Sequence, residues 1–113
     1  MPFDPNTIGP KECEKILGNI LKKHNNPKII NKAMGIYLDF KLGARHISKI
    51  ENKSICKRAF RLFYEDIILK TKKAKLPDEV TSFLRCCITA EYREVSKNIE
   101  EGTKPTPILA QEE

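Results

Sequence analysis

Ile55-Cys56-Lys57-Arg58-Ala59-Phe60-Arg61-Leu62-Phe63-Tyr64-Glu65-Asp66-Ile67-Ile68-Leu69-Lys70-Thr71-Lys72-Lys73-Ala74 is the stretch that decides the fold. It holds no Gly and no Pro. Placed at about 100° per residue, Ile55, Leu62 and Leu69 form one apolar stripe, and Cys56, Ala59, Phe60, Phe63 and Ile67 form a second beside it. Together they cover about half the circumference, which predicts a central helix with neighbours on two sides. Asp66 falls inside this arc, where an i, i+4 pair with Lys70 is its simplest partner.

Working outward, the same period recurs. Cys13, Ile16, Leu17, Ile20 and Leu21 predict a helix over 11–24, which ends because Asn26 precedes Pro27. Ile29, Ile30, Ala33, Met34, Tyr37 and Leu38 predict a helix over 28–41, with Gly43 as its stop. A short helix is expected over 44–51, held by Ile47 and Ile50, then a break at 52–54 with Ser54 as the next cap. The alternative is one continuous helix from 44 to 74. Downstream, Val80, Phe83, Leu84, Cys87, Ile88, Tyr92, Val95 and Ile99 trace one stripe over 77–101. No segment alternates at period two.

The predicted fold is therefore all-α: a compact bundle of four long helices plus one short helix, with irregular termini. Residues 1–10 read as an arm, 11–102 as a single helical domain and 103–113 as a flexible tail. Phe60, Phe63 and Ile67 should centre the core, against Leu17, Ile20, Met34, Leu38, Leu84 and Ile88.

Composition limits the function classes. Apolar residues are 40% and charged residues 32% of the chain, a globular balance. No apolar run approaches the roughly 18 residues of a membrane span. Met1-Pro2-Phe3-Asp4-Pro5 is not a secretory n-region, so an intracellular address, cytoplasmic or nuclear, is expected. Cys13, Cys56, Cys86 and Cys87 form no C-x-x-C pair and read as reduced thiols.

Charge is segregated. Residues 11–75 hold 17 Lys and Arg against 6 Asp and Glu, whereas residues 76–113 hold 4 against 8. Arg45, Lys49, Lys53, Lys57 and Arg61 recur every four residues, Arg58 lies beside them, and Lys70, Lys72, Lys73 and Lys75 follow as a dense patch. Lys22, Lys23, Lys28 and Lys32 bracket the first turn. A basic face for an anionic partner is one reading. The other is a solvated surface, favoured where Lys meets a helix C-terminus.

No Gly-rich phosphate loop, H-E-x-x-H or G-x-S-x-G is present. The neighbouring carboxylates Glu12 and Glu14, Glu65 and Asp66, and Asp78 and Glu79 diverge on a helix and cannot flank one bond. His24 and His46 read as exposed or capping residues. Neither catalysis, a metal, a cofactor nor a small-molecule substrate is expected.

Three stretches resemble known families. Residues 42–54 are similar to the first helix and turn of a helix-turn-helix, which implies groove entry by a second helix bearing Lys57, Arg58 and Arg61. The short–long–short order across 28–90 resembles a histone fold. Leu62-Phe63-Tyr64 with Glu91-Tyr92-Arg93 is similar to small mitochondrial assembly factors with a Leu-Tyr-Arg motif, although Glu65 stands where Arg would follow Tyr64.

The functional expectation is a non-catalytic helical interaction module, an adaptor or regulatory subunit docking on a partner protein. The rival is a nucleic-acid-binding protein using the basic 11–75 segment through Arg45, Lys49, Lys53, Lys57, Arg58, Arg61, Lys70, Lys72 and Lys73. Pro107, Ile108 and Leu109, after a second proline at 105, form a candidate docking motif in the tail.

Overall fold

A pair of adjacent asparagines makes the first corner. Asn25 adopts a left-handed conformation, φ 49°, and its N–H closes the preceding helix on the Leu21 carbonyl. The side chain of Asn26 then accepts from the Lys28 N–H at 3.0 Å, and Pro27 opens the next helix. The computed structural model describes residues 9–101. It contains α1 (Pro10–His24), α2 (Pro27–Ile47), α3 (Lys53–Lys73) and α4 (Asp78–Glu100), with no strand among the described residues.

The all-helical expectation holds, but the short fifth helix does not. Helix α2 runs through Gly43 and ends at Ile47, so it absorbs the start of 44–51. The rest is a turn, in which Ser48 Oγ donates to the Arg45 carbonyl. Asn52 rather than Ser54 caps α3, accepting from the Ile55 N–H at 3.0 Å. The break also rejects the continuous helix over 44–74. The Cys56 thiol bridges the turn by donating to the Ile47 carbonyl at 3.3 Å.

Consecutive helices run antiparallel. Lys70 meets Asp39, and Cys56 meets Ile47 at the opposite end of the same helix pair. Tyr64 bonds Thr89 and Lys57 pairs with Glu100, which orients α4 against α3. His24 meets Glu79 while Cys13 lies beside Cys87, so α1 closes the bundle on α4. Helices α2 and α4 also touch across the core, whereas α1 and α3 do not touch. This hairpin pairing along α2 and α3 departs from the crossed helices of a helix-turn-helix. The 21, 21 and 23 residues of α2, α3 and α4 likewise depart from a short–long–short histone order.

Aromatic rings knit three helices together. Phe40, fully buried, stacks on Phe63 at 5.5 Å and on Phe60 at 5.8 Å. Phe60 meets Tyr92 at 5.0 Å, and Tyr92 stacks on Tyr64 at 4.1 Å. Leu17, Ile20, Leu84 and Ile88 complete the core as expected, together with Ile67.

The other core expectations need correction. Phe63 and Met34 are only partly buried, and Leu38 is exposed. The extra turn and a half of α2 explains Leu38. Phe40 and Ala44 join the buried face, so Ala33 and Tyr37 face inward as expected and Ile36 takes the place of Leu38. Asp66 does not take Lys70, which pairs with Asp39 across the helix pair at 3.8 Å.

Candidate interaction surface

Helix α3 buries only one of its two apolar stripes. Cys56, Phe60 and Ile67 lie in the core, whereas Ile55, Leu62 and Leu69 are 57%, 59% and 48% exposed. The cause is topological. Both neighbours of α3, α2 and α4, pack on the Phe60 side, and α1 lies across the diagonal. No further helix among the described residues covers the outer stripe. On α2, Leu38 and Leu42 stand one turn apart and are 52% and 50% exposed.

Isolated exposed leucines are ordinary, but a regular row is not. Ile55, Leu62 and Leu69 repeat every seven residues, close to two helical turns, so they form a ridge about 21 Å long. Phe63 and Ala59 are partly buried, and Gly43 has no side chain to hold the Phe63 ring away. Burying the remaining half of each of these aliphatic side chains would contribute about 1 kcal/mol apiece.

The basic candidates do not form one face. Arg45 is in the last turn of α2, Lys49 in the following turn and Lys53 at the start of α3. Lys57 pairs with Glu100, Arg61 with Glu65 and Lys70 with Asp39, so three are engaged. The Lys57 ammonium holds the Glu100 carboxyl below its ordinary range. The acidic C-terminal third thus returns along α4 and neutralises part of α3.

Arg58, Lys72 and Lys73 are exposed and have no ion pair among the described residues. Lys70, Lys72 and Lys73 sit at the far end of α3, about 18 Å or more from Arg58. There the two inter-helix turns bring Lys22, Lys23 and Lys28 to the same end of the bundle, and Lys32 Nζ donates to the Ala74 carbonyl at 3.1 Å. Asp78 and Glu79, in the first turn of α4, stand among these lysines. Pro107, Ile108 and Leu109 lie outside the described residues.

A part-buried polar network escapes a reading by adjacent pairs. Tyr37 Oη donates to Glu14 Oε2 at 3.0 Å, and Lys41 Nζ donates to the same oxygen while standing 5.2 Å from the Tyr37 ring. Burial pushes the Glu91 carboxyl up, with Lys41 pulling it down and Glu14 and Glu94 raising it further. The signal was present in the period: Glu91 falls three residues after Ile88 and four before Val95, inside the α4 apolar stripe. Nearby, the Cys87 thiol bonds Cys13, and burial raises Cys13 to about 11 and Cys87 further. Such thiols are neutral and poorly nucleophilic.

Among the described residues, no group of three or more His, Cys, Asp or Glu side chains could hold a metal ion. No helix there is long and apolar enough to cross a membrane. Comparison with protein families, curated proteins and solved structures finds no match to this chain.

Proposed function

We propose that this chain is a non-catalytic helical interaction module, an adaptor or regulatory subunit, that docks a partner protein on the outer face of α3. The observation that carries this reading is the row Ile55, Leu62 and Leu69, half-exposed at seven-residue spacing. Within the chain these side chains contribute little to the core, whereas on a partner they would gain their remaining burial. The buried thiols and the satisfied Glu14–Tyr37–Lys41 contacts serve the scaffold that presents this face.

The test is capture from native lysate by immobilised chain, in parallel with Leu62→Asn/Leu69→Asn and with nuclease. The docking reading expects nuclease-resistant capture that the double variant loses. Capture that survives the variant counts against the α3 face.

The second reading, nucleic-acid binding, is favoured by one observation: the gathering of lysines from α1, α2 and α3 at one end of the bundle. It expects capture to vanish with nuclease.

A further inference from the structure

We infer that the occupant of the α3 face is an amphipathic helix with a leucine-rich stripe and acidic flanks. This inference rests on the docking reading above and names the chemistry of its partner. Its shape argument is the straight ridge. Ile55, Leu62 and Leu69 lie about 21 Å apart end to end, the length of about four helical turns, and a helix lying alongside meets all three. An extended strand would find no sheet edge, because the described residues contain none.

Charge selects among helices. Helix α3 carries seven Lys and Arg against Glu65 and Asp66 alone. Three residues past each member of the ridge stand Arg58, Glu65 and Lys72, one flank at helical spacing. Glu65 is taken by Arg61 at 3.3 Å, which leaves Arg58 and Lys72 as the open charges at the two ends of that flank. Lys73 lies at the end of the ridge itself. Acidic residues on a partner helix would meet these cations, and a single cation near its middle would meet Asp66, between Leu62 and Leu69. A second copy of this chain fits poorly, because two α3 faces would bring two cationic surfaces together.

The experiment uses the full chain and three labelled helical peptides of about 18 residues. The first bears a Leu stripe with Glu flanks, the second the same stripe with Lys flanks, and the third is a scramble of the first. Anisotropy titrations should rank the acidic amphipathic peptide at least about tenfold above both others. Leu62→Asn/Leu69→Asn should remove that binding, and Arg58→Glu/Lys72→Glu should invert the preference toward the Lys peptide. All four positions are exposed, so circular dichroism should show both variants folded, the leucine variant melting a few degrees lower because Asn is the poorer helix former.

Equal binding of the two amphipathic peptides, lost in the leucine variant, would leave the docking reading standing and overturn the acidic partner. A scramble that binds as well as the acidic peptide, indifferent to the leucine variant, would sink both. Absence of binding to all three overturns the inference. So does a dimer, seen by sedimentation, that Leu62→Asn dissociates.

Discussion

The ring of Phe63 occupies the space where a side chain on Gly43 would stand. A Cβ built there falls inside van der Waals contact with Phe63 Cζ and Cε2. Phe63 has little freedom to move aside, because it stacks almost parallel on Phe40 at 5.5 Å. Gly43→Ala would gain about 1 kcal/mol of helix propensity and lose about 1–3 kcal/mol to overpacking. The expected result is a lower melting temperature, recovered by Phe63→Leu in the same chain. A double-mutant cycle with no coupling between positions 43 and 63 would contradict the packing.

Phe60 and Phe63 should separate in a stability series. Phe60 is 1% exposed and touches Phe40 and Tyr92. Phe60→Ala should cost about 3–5 kcal/mol, enough to unfold a marginal domain. Phe63 is only partly buried, so Phe63→Ala should cost visibly less, by about 1–2 kcal/mol. Denaturant titrations that reverse this order would mean α3 is rotated from the orientation described.

That pair also marks how far the sequence reaches. Helix existence was legible because Gly and Pro are absent between 28 and 76 apart from Gly35 and Gly43. The core face of α3 was legible at Phe60 and Ile67, but not that the stripe beside it stays uncovered, since only tertiary contacts decide that. Gly43 shows a similar ambiguity: one residue type serves both a helix stop and a close helix–helix approach. The Ile55–Leu62–Leu69 row was visible as a stripe, but its exposure follows from α1 and α3 lying on a diagonal, which periodicity does not encode. Charge segregation was plain in the sequence. Its folding back through Lys57 and Glu100 needed the antiparallel pairing of α3 and α4.

Glu91 gives a pH signature. Burial raises its folded pKa above the ordinary value, so the folded state holds this proton more tightly than the unfolded chain does. The contribution to stability is therefore full below about pH 4.5 and falls as pH rises through the raised folded pKa. Above that raised pKa the ionised carboxylate is a net cost that Lys41 only partly offsets. Glu91→Gln should melt higher than wild type at pH 7 and equal to it near pH 4. A variant less stable at pH 7 would show that Lys41 outweighs desolvation.

The thiols offer an independent check on the α1–α4 contact. Cys13, Cys56 and Cys87 are buried with pKa values pushed up, Cys13 to about 11. In native protein at pH 8 a disulfide reagent should leave these three unmodified, and denaturant should expose all of them. Excess dithiothreitol should leave the melting temperature unchanged, since Cys13, Cys56 and Cys87 are reduced thiols. Rapid labelling of Cys13 or Cys87 would mean that α1 detaches readily from α4.

Nucleic-acid binding, if present, belongs at the lysine-rich end rather than along the whole basic segment. Lys57 and Arg61 are engaged with Glu100 and Glu65. Lys22, Lys23, Lys28, Lys72 and Lys73 have no ion pair among the described residues. Their neighbours include no exposed aromatic ring on which a base would stack; the described Tyr and Phe side chains are buried or partly buried. Contact would thus be with phosphates alone, each contributing about −0.9 to the slope of log K against log salt. Four contacts predict a slope near −3.6, steep enough to abolish weak binding by physiological salt. The docking reading expects the anisotropy of a labelled 20-mer to be flat at about 0.15 M salt, with at most weak binding near 50 mM. A steep slope that Lys28→Glu/Lys72→Glu removes and Leu62→Asn leaves intact would transfer the function from the α3 ridge to this end. Removing both charges of a pair at once, as in Lys57→Met/Glu100→Gln, should change little in either case, because in the folded chain that pair is already neutral.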